Sequence, residues 1–197
     1  MTSAPAPPRV RIAFLRHAEP DWLDGSPETD PGLSPRGRRQ AEAAGDELLS
    51  MAAGGFAYSA LYSSPAKRAR ETAKVVGARL GLDVSLEPAF DSLLDAGSRQ
   101  KLSAKDLDDG LTAQLESVQQ QAWDVVERLR GEAASNLDVI VVGHEASIAA
   151  IICRGLSMPL AGIERFRIDL ASLTVLDFRQ QRSILALLNE TCYLNGI

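Results

Sequence analysis

The chain has 197 residues, 45% apolar and 24% charged, which fits one globular domain with a buried core. Its 21 Lys and Arg against 26 Asp and Glu leave a net charge of −5, which argues against a general nucleic-acid binder. The longest unbroken apolar stretch, residues 148–153, is too short to cross a bilayer, so no membrane partner is expected.

Residues 1–8 are Pro-rich and lack the basic head and apolar core of a signal peptide. They read as a disordered tail before a single domain over 9–197, and the expected location is cytoplasmic. Val10-Arg-Ile-Ala-Phe-Leu15 is a short apolar run bounded by Pro8 and by Arg16-His17, and predicts a strand. Residues 19–32 carry three prolines and two glycines and predict a loop. Ser34-Pro35 predicts a helix start, because Ser caps free amides and Pro at the first position loses no hydrogen bond. That helix runs to about Leu49, with Ala41, Ala44 and Leu48 on one face.

A second strand is predicted over residues 58–62. Ser64-Pro65 repeats the cap-plus-proline signal, Ala69, Ala73, Val76 and Leu80 recur at helical spacing, and Gly81 stops the helix. Residues 84–86 predict a short strand and 88–111 have no regular pattern. A helix follows over 112–132, with Leu115, Val118, Ala122, Val125 and Leu129 inward. The β-branched run over residues 137–142 predicts a strand buried on both faces, and a helix over 146–154 follows Gly143-His144. Residues 165–169, 173–178 and 183–188 predict three closing strands. Strands alternating with helices predict a three-layer α/β sandwich with a mostly parallel central sheet. The two cysteines, Cys153 and Cys192, form no CxxC pair and read as free buried thiols in a reducing compartment.

Only two histidines are present, His17 and His144, and each directly follows a predicted strand. Open α/β sheets bind ligands beyond the carboxyl ends of their strands, so the two imidazoles are expected to meet at one sheet edge. Lys67, Arg68 and Arg70 crowd the first turns of a helix, where the helix dipole disfavours cations. A bound anion, phosphate above all, removes that conflict, and Arg68 is the residue expected to contact it. Arg16 beside His17 supplies a second guanidinium fork. Two Arg and two His would neutralise a phosphoryl group, with an imidazole as nucleophile.

Leu15-Arg-His-Ala-Glu-Pro20 resembles the Arg-His-Gly-Glu signature of the histidine phosphatase superfamily, the phosphoglycerate mutase-like proteins. Asp30-Pro-Gly-Leu-Ser-Pro-Arg-Gly-Arg-Arg-Gln-Ala41 resembles the Leu-Thr-x-x-Gly-x-x-Gln-Ala stretch that follows it, and Ser63-Ser-Pro-Ala-Lys-Arg-Ala-Arg-Glu-Thr-Ala73 resembles the Ser-Ser-x-x-x-Arg-Ala-x-x-Thr-Ala block. Val142-Gly-His-Glu-Ala146 occupies the place of the second His-Gly motif, and Ile168-Asp-Leu-Ala-Ser-Leu-Thr-Val-Leu-Asp177 is similar to the closing strand pair. The resemblance implies a sheet with one antiparallel edge strand. It implies that His17 attacks phosphorus, that Arg16, Arg68 and His144 hold the phosphoryl oxygens, and that no metal or other cofactor takes part. The substrate it implies is a small phosphorylated metabolite, with a homodimer as the assembly to test.

Ala18 and Glu145 replace the glycines after the two histidines, and Pro20 replaces a Thr. The family's acid, a Glu in a Leu-x-Glu triplet, is replaced by Ser92 if Phe90 matches the Leu. Asp91 is the first candidate for the acid, with Asp95 and Asp21 behind it; in a regular strand Asp91 would face away from the site. A protein phosphohistidine phosphatase, whose leaving nitrogen needs less acid, is an alternative, as is a weakly active phosphate-binding relative. The chain is short for a mutase with caging insertions. A metal hydrolase using Glu19 or Asp21 lacks a close-spaced ligand motif, and the Gly-x-Ser-x-Gly elbow of a serine hydrolase is absent. Substrate choice is expected to lie in residues 86–111, where Arg99, Lys101 and Lys105 add positive charge, and in the 19–32 loop.

Overall fold

The computed structural model describes residues 8–22, 30–91, 109–180 and 182–197. The predicted Pro-rich tail, apart from Pro8, and Ser92, Asp95, Arg99, Lys101 and Lys105 lie outside these residues. In chain order the elements are β1 (Val10–Arg16), α1 (Pro35–Ala53), β2 (Tyr58–Ser63), α2 (Lys67–Leu80), β3 (Val84–Leu86), α3 (Asp109–Glu132), β4 (Leu137–Gly143), α4 (Glu145–Gly155), β5 (Leu173–Phe178) and β6 (Ser183–Glu190). The six strands form one sheet in the order β3-β2-β4-β1-β5-β6.

The first four strands are parallel, and β5 runs antiparallel to both β1 and β6. The mostly parallel sheet is as the alternation of elements predicts, and the antiparallel edge that the resemblance implies is present as a pair, the reversed strand β5 lying inside the edge strand β6. Alternation along β1 and β4 builds both layers. Ile12, Phe14, Val139 and Val141 face a core closed by α3 and α4, with Val126 and Ile151. Ala13, Leu15, Ile140 and Val142 face the other core, closed by Ala44 and Leu48 of α1 and Ala73 and Val76 of α2. Both faces of β1 and β4 are covered along 12–15 and 139–142, which is why these stretches read as unbroken apolar runs.

Two local expectations are corrected. Residues 165–169 do not form a strand: 160–165 is a 3-10 turn, and Asp169 bonds through its N–H to the Asn189 side chain rather than to a ladder partner. Only two strands close the sheet. Cys153 is buried as expected, but Cys192 is exposed.

Ser34 caps α1 as its sequence predicts, its hydroxyl accepting from Gly37 N–H at 2.9 Å. A Cβ on Gly37 would lie 2.0 Å from the carbonyl oxygen of Glu19, so only glycine allows α1 to approach the chain just after His17. Glu19 also accepts from Ser34 at 2.7 Å and Arg36 at 2.6 Å, and these bonds hold its carboxyl below the usual range. Glu19 therefore anchors the loop to α1.

Candidate active site

The parallel register aligns Arg16 with Gly143 at the carboxyl ends of β1 and β4, and Ser63 of β2 ends beside Val142. His17, His144 and Ser64 are the next residues on these three adjacent strands. The His17 and His144 rings stand 5.1 Å apart between centroids. Burial of these polar groups is near complete: His17 is 0%, His144 2%, and Arg16 and Arg68 each 7% exposed.

Arg68 joins the two rings. Its Nε donates to His17 Nε2 at 3.3 Å and its Nη2 to His144 Nδ1 at 3.3 Å. His17 Nδ1 lies 2.8 Å from the Ala18 carbonyl, which only accepts, so the ring proton sits on Nδ1 and the Nε2 lone pair faces the cluster. Burial, His144, Arg68 and Arg16 all hold the His17 pKa well below its ordinary value, so the ring is neutral at physiological pH. Thr72 steadies this arrangement: its hydroxyl accepts from Ala18 N–H at 3.0 Å and donates to the Arg68 carbonyl at 2.8 Å.

The second ring has the opposite tautomer. Arg68 can only donate, so His144 Nδ1 accepts and the proton is on Nε2. That N–H donates to Ser64 Oγ at 2.9 Å, and the Ser64 hydroxyl donates to Asp91 Oδ1 at 2.9 Å. Asp91 Oδ1 is 3.8 Å from His144 Nε2. Asp91 therefore does reach the site. It follows a 3-10 turn, Pro88–Phe90, that breaks strand alternation and buries Phe90 in the core. Asp21 is exposed, and among the described residues no side-chain contact joins it to the cluster.

Ser64 is not the helix cap that Ser-Pro suggests. The helix begins at Lys67, and Lys67 N–H donates to both Asp30 oxygens, at 2.9 and 2.8 Å. Asp30 also takes Arg68 Nη1 at 3.2 Å. An anion does sit at this helix N-terminus, and it is the chain's own carboxylate. Arg16 shows the same pattern, with Nη1 bonded to the Ile168 carbonyl and 3.0 Å from Glu145 Oε2. The two carboxylates are on the rim, their side chains 45% and 39% exposed. Sequence reasoning missed Asp30 because it lies 37 positions from Lys67; Glu145 was visible only as a departure from the family glycine.

A phosphate entering on Arg16 would have to compete with the Glu145 carboxylate, so Glu145→Gln is expected to tighten inhibition by inorganic phosphate about threefold to fivefold, the scale of a partly exposed ion pair. Unchanged or weaker inhibition in that variant would show that Glu145 does not compete. Among the described residues no group of three or more His, Cys, Asp or Glu is placed to hold a metal ion, and no helix is long and apolar enough to cross a membrane.

A family model described as histidine phosphatase superfamily (branch 1) matches residues 12–191. Phosphoserine phosphatase 1 of Hydrogenobacter thermophilus is 26% identical, with 94% of each chain covered. An acid phosphatase of Mycobacterium tuberculosis is 29% identical over 92% of this chain and 93% of its own. Among solved structures, a phosphoserine phosphatase mutant from Entamoeba histolytica in complex with phosphoserine superposes with a TM-score of 0.72 at 21% identity, covering 94% of this chain and 99% of that one.

Proposed function

Since the chain belongs to the histidine phosphatase superfamily and is a phosphatase of that type, we propose that it hydrolyses a small phosphorylated metabolite through a phosphohistidine on His17. One observation carries this reading: a neutral, buried His17 whose Nε2 lone pair faces Arg68 and His144. In the first step Nε2 bonds to phosphorus and the phosphorus–ester oxygen bond breaks. The ester oxygen leaves with a proton from Asp91. Arg16, Arg68 and the His144 ring balance the charge on the phosphoryl oxygens. In the second step water bonds to phosphorus, gives a proton to Asp91, and the phosphorus–nitrogen bond breaks, which releases phosphate and restores His17.

Asp91 on the pocket favours an alcohol leaving group over the acid-independent phosphohistidine reaction. The phosphoserine phosphatase relatives suggest a small phosphoester of a hydroxy or amino acid. The test is a panel of phosphoserine, 3-phosphoglycerate, an aryl phosphate and a phosphohistidine protein, assayed in chelator. Turnover of a free metabolite phosphate, above that of the phosphohistidine protein, is expected. Turnover of the protein substrate alone, or of none, would overturn the proposal. So would activity that vanished in chelator and returned with zinc or magnesium.

A further inference from the structure

A second basic groove lies at the other end of the sheet. Phe178 of β5 and Leu137 of β4 pair with Val10, the first residue of β1, whereas the histidines follow the last. At about 3.3 Å per residue, the length of β1 separates the two ends by roughly 20 Å. This exceeds two Debye lengths at physiological salt, so the charges of the catalytic pocket do not account for the groove. It is a cavity of about 230 Å³ lined by Trp123, Arg130, Arg154, Ser157, Arg179 and Arg182 among others. Trp123 comes from the middle of α3, Arg130 and Arg154 from the ends of α3 and α4, Ser157 from just beyond α4, and Arg179 and Arg182 from the turn between β5 and β6.

Helix dipoles explain two of these cations, because Arg130 and Arg154 sit in the last turns of α3 and α4. They do not explain Arg179 and Arg182, which face each other across the hairpin, joined by Arg179 N–H to the Arg182 carbonyl at 2.9 Å. Like charges placed this way repel. Glu127 balances Arg130 at 2.7 Å and Asp177 balances Arg179 at 2.8 Å. Arg154 instead donates to the neutral Gln120 at 2.7 Å, with its guanidinium 5.1 Å over the Trp123 ring. Among the described residues neither Arg154 nor Arg182 has a carboxylate within 4.0 Å. Two positive charges are left over in a concave site on a chain of net charge −5. Ser157 holds a left-handed backbone, φ 55°, where glycine is the usual residue.

We propose that this groove is a second anion site, taking a small soluble ligand with two or more phosphate charges. Guanidinium forks match phosphate oxygens two at a time, and the cavity has room for a diphosphate. The large exposed apolar side chains, Trp22, Leu49, Leu86 and Leu188, do not line it, so a free anion suits it better than a lipid surface. The reading does not depend on the catalytic proposal.

The chain has two tryptophans, so Trp22→Phe leaves Trp123 as the only indole and a reporter within the groove. Pyrophosphate titrated into that protein should give a saturable fluorescence change. Arg182→Glu in the same background should weaken it about tenfold or more, the scale of lost charge-assisted bonds, while aryl phosphate turnover without pyrophosphate stays unchanged. No saturable change at millimolar pyrophosphate, or equal affinity in the Arg182→Glu protein, would overturn the site. Binding to vesicles of phosphatidylserine and phosphatidylcholine with no response to pyrophosphate would also overturn it, in favour of a membrane surface.

Discussion

His17→Ala is expected to lower turnover by roughly 10⁴-fold or more and to abolish acid-labile phosphate labelling of the protein. The ring is fully buried and sits between two strand ends, and its Nε2 is the atom Arg68 addresses. Alanine keeps the β1 ladder and the backbone bond from residue 17 N–H to Gly143 O, so the fold should survive. The substitution also changes the acid limb of stability. Burial, foremost, together with neighbouring His144, Arg68 and Arg16, depresses the folded-state pKa of His17. Below about pH 6.5 the unfolded imidazole binds a proton that the folded one refuses. Stability is thus fully present above about pH 6.5 and is lost as pH falls from there towards the depressed value. The alanine protein lacks this component, so its Tm should fall less between neutral and acid pH. Full turnover, or persistent labelling, in the alanine protein would end the phosphohistidine mechanism.

Local signals and long-range contacts divide what could be read from the chain. The strand at residues 137–142 was legible because its stretch 139–142, buried on both faces, is apolar throughout. Two histidines at two strand ends, with Arg16 and Arg68, were legible for a different reason: parallel register converts strand ends into one place. Ser-Pro at 64–65 looks the same whether the hydroxyl caps a helix or bonds a histidine, and here it bonds His144. Asp30, which does hold the helix start, is brought there by the fold. Residues 165–169 have strand composition without a ladder partner, since the Asn189 side chain takes the Asp169 N–H. The contacts of Asp91 and Glu145 depend on a 3-10 turn and on a side-chain pair across elements, and neither leaves a periodic trace.

The acid prediction follows from the directed chain His144 Nε2–H to Ser64 Oγ–H to Asp91 Oδ1. Ser64 also accepts from Ala66 N–H at 3.1 Å, so its one proton is committed to Asp91. The Asp91 side chain is 40% exposed, which lets the attacking water reach it and return its proton in the second step. Expelling an alkoxide without a positioned acid costs about 10²–10⁴-fold, whereas an aryloxide needs little protonation. Asp91→Asn should therefore lower alkyl phosphate turnover by roughly tenfold or more and change aryl phosphate turnover little. Ser64→Ala removes the bond that orients Asp91 and leaves the buried His144 N–H without its acceptor, so it should reproduce the same leaving-group signature. If the serine acts through Asp91, the double variant will be about as slow on alkyl phosphates as the slower single one. Multiplied losses in the double variant would mean that the two residues act separately. Equal rates for Asp91→Asn and the parent on both substrate types would remove Asp91 from the reaction. The acid-independent phosphohistidine substrate would then be the better reading of this pocket.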